Sequence, residues 1–309
     1  MKRIKKLLLA GILLAGLICY LKPIVFSEEK KDTKANDKQE QPIQLKAELY
    51  SRNYILIRQR DGKTMLEQNK DETIAPASLT KIMTVYTALQ HIGDLQETVL
   101  VPASIFSKLE KEQASMAGFL PNEEVTYEDL IYGALLPSGA DACMTLALSL
   151  FGSEDAFVAE MNAQAERLKL KHTRFQNCTG LDEKGHVSSV SDIAVLLDQA
   201  LKQPQFEEAY HTSYYTMAPS NAHPQGMTIY STMRMTMDQH GLSDDAILGG
   251  KTGYTKDAGL CLASQAKVGN ETWLFVSAHA AGSADTKPYH ILDAITVYER
   301  LAKEALSQT

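Results

Sequence analysis

The chain has 309 residues, 44% of them hydrophobic and 22% charged, an ordinary globular composition. A net charge of −7 weighs against a nucleic-acid partner, and the length allows one composite domain or two. No internal repeat and no metal-ligand spacing of His or Cys stands out, so neither a metal nor a cofactor is expected.

The first residues differ from the rest. Lys2, Arg3, Lys5 and Lys6 precede an uncharged apolar run, residues 7–21, which reads as an export signal. Residues 24–26 are apolar again, so 7–26 comes close to the length of a membrane span. A signal or anchor over residues 1–26 is expected, with the basic flank in the cytoplasm and the remainder on the extracytoplasmic face. Residues 27–42 hold no aliphatic or aromatic side chain apart from alanine and proline, which marks 27–44 as a disordered tether. A tether is useful only if the apolar segment stays attached, so a retained anchor is favoured over cleavage and secretion.

The remaining residues, 45–309, read as one domain in two parts: sheet from about 45–95 and 212–309, helices from about 96–211. Tyr54-Ile55-Leu56-Ile57, then Asp61-Gly62, then Thr64-Met65-Leu66 form a hairpin pattern, since Asp-Gly is a strong turn signal. A helical pattern opens at Ser78 and runs to about Ile92, with Ser78 a good N-cap. Helices are expected over 127–136, 140–150, 154–168 and 190–201, and short strands over 214–217 and 227–231. Residues 260–268 and 271–279 read as a second hairpin around Gly269-Asn270, followed by a terminal helix over 291–305. The order sheet, helices, sheet, helix predicts an α+β fold: an antiparallel sheet built from both ends of the chain, flanked by helices, with an inserted helical subdomain.

Three short motifs fit together as one site: Ser78-Leu79-Thr80-Lys81, Ser138-Gly139-Ala140 and Lys251-Thr252-Gly253. A serine and a lysine three residues apart share one helix face, where the amine can take the hydroxyl proton and activate a poor nucleophile. Each motif alone is weak, because Ser-x-x-Lys usually marks a solvated helix face. Spacings of 60 and 113 residues leave room for a helical region and a return to the sheet, bringing all three into one cleft.

Together the motifs resemble those of serine D-alanyl-D-alanine carboxypeptidases, the low-molecular-mass penicillin-binding proteins. The resemblance extends to Pro76-Ala77 and Ile82-Met83-Thr84 around the nucleophile, to Thr179-Gly180-Leu181-Asp182 with Gly185-His186 and Ser188-Ser189, and to Tyr254-Thr255, Ala258-Gly259 and Cys261-Leu262. It implies a penicillin-sensitive carboxypeptidase that removes the terminal D-alanine from peptidoglycan stem pentapeptides. Ser78, Lys81 and Ser138 would be catalytic, and Lys251, Thr252, Gly253 and Tyr254 would bind substrate. Stem peptide and β-lactams are the implied partners, with the membrane reached through the N-terminal segment. The family's middle motif usually ends in asparagine; here Ala140 stands there, followed by Asp141.

Other residues read differently. Arg234 either assists with the substrate carboxylate or is a solvated arginine. His186 is expected to pin its Gly-flanked loop, and Asp182 and Glu183 to cap it. Cys143, Cys178 and Cys261 are an odd number and read as buried apolar side chains. Two rival functions remain. A class A β-lactamase needs a glutamate before the third motif, and residues 168–177 contain no acid. A non-catalytic penicillin- or cell-wall-binding module would explain Ala140 but leaves the intact Ser78, Lys81 and Lys251 without a purpose.

Overall fold

The computed structural model describes residues 48–283 and 285–307. The anchor and tether expected over 1–26 and 27–44 lie outside the described residues. In chain order the elements are β1 (Asn53–Arg58), β2 (Lys63–Gln68), a 3-10 turn (Ala77–Leu79), α1 (Thr80–Leu89), β3 (Thr98–Leu100), a second 3-10 turn (Ala103–Ile105), α2 (Phe106–Lys111), β4 (Glu124–Thr126), α3 (Tyr127–Leu135), α4 (Ala140–Phe151), α5 (Glu154–Arg167), α6 (Val190–Ala200), α7 (Pro204–His211), β5 (Tyr214–Met217), β6 (Met227–Tyr230), α8 (Thr232–Gln239), β7 (Ile247–Thr255), β8 (Gly259–Val268), β9 (Glu271–Ala280) and α9 (Tyr289–Ser307).

The main sheet has the order β2-β1-β9-β8-β7, with every neighbouring pair antiparallel. Both ends of the chain therefore build it, and β7 forms one edge. Strand alternation sends successive side chains to opposite faces. Ile55, Ala263, Leu274 and Val276 join the apolar cluster of the helical body, while Leu56, Leu262 and Phe275 join a second cluster with Ile291, Ala294, Val297 and Tyr298 of α9. Covering on both faces explains why β8 is apolar almost throughout rather than alternating.

α1 lies inside the helical body and touches α3, α4, α5, α6 and α7. Thr80, Lys81, Thr84 and Thr87 are as buried as Ile82, Met83 and Val85. Thr84 manages this by donating its hydroxyl to the Cys178 carbonyl at 2.7 Å. The helix ends at Leu89, short of the expected Ile92, and Ser78 is no N-cap: it sits within the 3-10 turn, which has no side-chain cap.

Helices α2, α7 and α8 have no counterpart in the sequence-based expectations. They are only six to eight residues long. So few residues give a weak periodic signal, and tertiary packing of Leu109, Phe206 and Met233 supplies most of their stability. Ser231 accepts the Arg234 N–H as N-cap of α8. Cys143, Cys178 and Cys261 are free and buried, as expected.

Candidate active site

The nucleophile turn sits against the edge strand of the sheet. Gly253 of β7 packs so closely on it that a Cβ there would lie 3.1 Å from Ser78 N and 3.2 Å from the Ala77 Cβ. Ala77 itself holds a positive φ of 46°, a strained position for a residue with a side chain. Behind it, Gly180 has φ 83°, and a Cβ at that position would collide with the Ala77 carbonyl oxygen. Two glycines thus let a strand and a loop close on the turn that carries Ser78.

Lys81 lies one turn further on. Its Nζ is 3.0 Å from Ser78 Oγ and 2.6 Å from the Thr179 carbonyl oxygen, and the residue is 2 % exposed. Burial pushes its amine below the ordinary lysine range, against the opposing pull of Asp141. A neutral amine can donate one N–H to Thr179 and offer its lone pair to the Ser78 hydroxyl.

Lys251 is 1 % exposed and donates to the Thr252 carbonyl at 3.0 Å. Burial first, and repulsion from Lys81 second, push its amine far below its usual value. Its enclosure leaves substrate contact to the groups in front of it. Alternation along β7 turns Thr252 to the face opposite Lys251, where its hydroxyl lies 3.1 Å from that of Thr232. Thr232 also donates its backbone N–H and its hydroxyl to the Leu136 carbonyl, at 3.0 and 3.2 Å. It therefore ties the third motif to the chain just before the middle one. Tyr254 is 43 % exposed at the mouth.

Ser138 occupies the corner between α3 and α4 with φ 65°. Its hydroxyl is buried without a hydrogen-bond partner in the protein. Ala140 is buried at the start of α4 and donates its N–H to the Ser115 carbonyl at 2.7 Å. Asp141 does what the sequence did not reveal. Its carboxylate accepts the backbone N–H groups of Ala117 (2.8 Å), Gly118 (3.1 Å) and Phe119 (3.2 Å), together with its neighbour Ala142 (3.0 Å). Burial raises its pKa while those N–H groups pull it back. The result fixes the 115–119 segment against the middle motif. Gly139 is held so tightly there that a Cβ would lie 2.6 Å from both the Ala117 Cβ and Asp141 Oδ1.

Ser78, Ser138, Thr252, Gly253 and Tyr254 line one cleft of about 340 Å³, with Lys81 beneath Ser78 and Lys251 behind Thr252. The seven residues that the resemblance assigned to the site, Ser78, Lys81, Ser138, Lys251, Thr252, Gly253 and Tyr254, are thus brought together. Arg234 is not among them: its guanidinium donates to the Ile247 and Leu248 carbonyls at 2.7 and 3.1 Å. It is neither a carboxylate ligand nor a solvated arginine; it caps the start of β7. His186 pins its loop as expected, with Nε2 2.8 Å from Thr80 Oγ1 and Nδ1 accepting the Gln176 N–H at 3.0 Å. Asp182 accepts the Thr255 hydroxyl at 2.6 Å, and Glu183 accepts an Asn177 N–H at 3.1 Å. Thr179, Thr232 and Asp141 were missed as site residues. Ser231 as an N-cap was the local sign of Thr232, and an acid in the first helical turn was the sign of Asp141.

Comparison with known proteins places this geometry among relatives. A family model described as D-alanyl-D-alanine carboxypeptidase, Peptidase_S11, matches residues 36–281. The chain is 34% identical over 226 residues to D-alanyl-D-alanine carboxypeptidase DacF of Bacillus subtilis, covering 71% of this chain and 55% of that protein. It is 36% identical over 225 residues to DacA of Escherichia coli K12, covering 70% and 53%. The chain spans about half the length of these curated relatives. The crystal structure of the Streptomyces K15 DD-transpeptidase shares the fold, with a TM-score of 0.73 at 23% identity over 82% of this chain and 97% of that one.

Proposed function

Because the chain belongs to the D-alanyl-D-alanine carboxypeptidase family, we propose that it removes the terminal D-alanine from peptidoglycan stem peptides through an acyl-enzyme on Ser78. The observation that carries this reading is the buried Lys81 amine 3.0 Å from Ser78 Oγ. Ser78 attacks the carbonyl carbon between the two D-alanines, and its proton passes to Lys81. The carbonyl oxygen takes up the negative charge; the N–H groups of Ser78 and Tyr254 are the donors proposed for it, because β7 and the nucleophile turn are in contact there. As the C–N bond breaks, Ser138 relays a proton to the leaving amine. Water then attacks the ester, regenerating Ser78 and releasing the shortened peptide. Thr252 would hydrogen-bond the terminal carboxylate.

β-Lactams carry a strained amide that would acylate Ser78 in the same way. Slow release of that adduct would separate this reading from a β-lactamase, which needs a carboxylate placed to activate the deacylating water. Asp182 and Glu183 are held by Thr255 and Asn177, and no carboxylate lines the cleft among the described residues. The enzyme would work on the extracytoplasmic face of the membrane, held by residues 1–26 through the tether at 27–44.

The test is a time course of intact mass with benzylpenicillin, run beside an assay for D-alanine release from a stem pentapeptide. A lasting adduct absent from Ser78→Ala, together with D-alanine release, is expected. Rapid drug hydrolysis without an adduct would point to a β-lactamase. Neither adduct nor D-alanine would point to a binding module.

A further inference from the structure

The catalytic cleft continues into a second, larger cavity of about 750 Å³, which the mechanism above does not use. The end of α2, the loop at 177–183 and the end of β7 bound it. Gln113 and Tyr254 line both cavities and so mark the passage between them. Along β7, Thr252 and Gly253 face the first cavity, Tyr254 both, and Thr255 the second. A peptide with its terminal carboxylate at Thr252 and its reacting carbonyl at Ser78 therefore sends its acyl side through this passage.

Gln113 is held in place there. It directly follows α2, donating its N–H to the Glu110 carbonyl at 3.1 Å, while Ala114 donates to the Leu109 carbonyl at 3.0 Å. That pair of bonds ends a helix on a left-handed residue. Gln113 accordingly has φ 52°, where glycine is at ease and a side chain is strained. Glycine would end α2 without that strain, yet the chain carries glutamine. Two residues on, the Ser115 carbonyl accepts the Ala140 N–H at 2.7 Å, and Asp141 then holds the 117–119 backbone. The backbone of Gln113 is thus fixed from both sides. Its side chain is exposed, and its carboxamide hydrogen-bonds to none of the described residues. It is the one side-chain amide among the described residues that line the catalytic cleft. Ala140, buried in the middle motif, offers a peptide no side-chain hydrogen bond.

We propose that Gln113 orients the substrate: its Nε2–H donates to the carbonyl of the peptide bond joining the third stem residue to the penultimate D-alanine. The inference rests on the carboxypeptidase reading. That peptide bond lies one residue from the scissile bond on the acyl side, so holding it sets the reacting carbonyl against Ser78. A neutral amide suits the task because it can be taken out of water against a neutral carbonyl without burying a charge. Benzylpenicillin carries an equivalent acylamino carbonyl. Aminopenicillanic acid has the same reactive ring with a free amine in its place.

The experiment measures second-order rate constants for acylation of Ser78 by these two compounds, in the full chain and in its Gln113→Gly and Gln113→Met variants. Gln113→Gly removes the amide together with the strain, so its fold should hold. Gln113→Met keeps a long unbranched side chain without a donor. Both should slow benzylpenicillin about 3- to 10-fold, the range for one neutral hydrogen bond. Both should leave aminopenicillanic acid unchanged, so the parent's preference for benzylpenicillin shrinks by the same factor. An unchanged benzylpenicillin constant in either variant overturns the proposal, since both lack the amide. Equal slowing of the two compounds overturns it as well, because that marks a displaced loop. If aminopenicillanic acid reacts too slowly to follow in the parent, kcat/KM for an acyl-peptide ending in D-Ala-D-Ala takes its place and must fall with the benzylpenicillin constant in both variants. When the parent forms the adduct and releases D-alanine and the variants match it, this inference fails alone. When the parent does neither, the carboxypeptidase reading fails first and takes this one with it.

Discussion

Lys81 lies closer to the carbonyl of Thr179 than to the hydroxyl it activates, 2.6 Å against 3.0 Å. A main-chain acceptor 98 residues away therefore orients the amine, leaving its lone pair for Ser78. This makes Thr179 part of the base rather than a bystander, and it links the nucleophile helix to the loop that follows α5.

Replacing Lys81 should separate activity from stability. Lys81→Met removes the base and should slow acylation by benzylpenicillin by about 10²–10⁴-fold, the usual worth of a general base. The acidic limb of the acylation rate, which rises with pH as the buried amine loses its proton, should vanish with it. Folding should respond in the opposite sense. The depressed pKa means that the unfolded chain binds a proton which the folded chain resists, so the native amine weakens the fold below 10.5 and above all at low pH. The variant should melt at a higher temperature than the parent at pH 7. Undiminished acylation would remove Lys81 from the mechanism.

Gly180→Ala tests the turn behind the nucleophile. The new Cβ meets the Ala77 carbonyl oxygen, and φ 83° is costly for alanine. A loss of about 2–4 kcal/mol in urea unfolding is expected from strain and collision together. Penicilloylation should slow more than 10-fold, because displacement of about 1 Å is enough to cost that. A variant with normal stability and rate would mean that the loop yields and that the close approach is unimportant.

Asp141→Asn exchanges one carboxylate oxygen for an N–H group facing backbone donors. Two of its four contacts lie on each oxygen, so at least two N–H groups lose their acceptor. Hydrogen bonds to a charged group contribute about 1.5–3 kcal/mol each, and a destabilisation near the middle of the summed range should appear in chemical unfolding. As the 115–119 wall loosens, KM should rise more than kcat falls. An unchanged KM would separate that wall from substrate binding.

His186 gives the fold an acid sensitivity. Burial lowers its pKa from 6.5 to about 4, so the neutral ring is kept while the unfolded chain becomes protonated. The stability it contributes is complete above about pH 6.5 and is lost as pH falls toward 4, at up to about 1.4 kcal/mol per pH unit. His186→Gln should flatten that part of the stability profile, after subtraction of the parallel contribution from His290, whose burial likewise lowers its pKa to about 4. A slope identical to the parent's would show that some other group titrates there.

Much of this protein is readable from the chain. Ser78 and Lys81 sit three residues apart, so helix geometry alone puts them on one face. The hairpin at Asp61-Gly62 and the pairing across Gly269-Asn270 follow from turn chemistry, and the apolar period of α9 follows from the core it covers. The roles of Arg234, Asp141 and Thr179 were not readable, because each depends on which backbone groups lie nearby. A carbonyl or an N–H belongs to every residue alike, and sequence carries no mark of the one that will be met.

The sequence by itself determined the reactive pair, the three-motif order and an antiparallel sheet joined from both ends, since these rest on local periodicity and on residue chemistry. Only the tertiary structure decided that α1 is buried on all sides, which lowers the Lys81 pKa. It also turned Arg234 away from the cleft and brought His290 to its wall. Those outcomes depend on desolvation and on contacts between residues far apart in the chain, and such quantities exist only once the chain has packed.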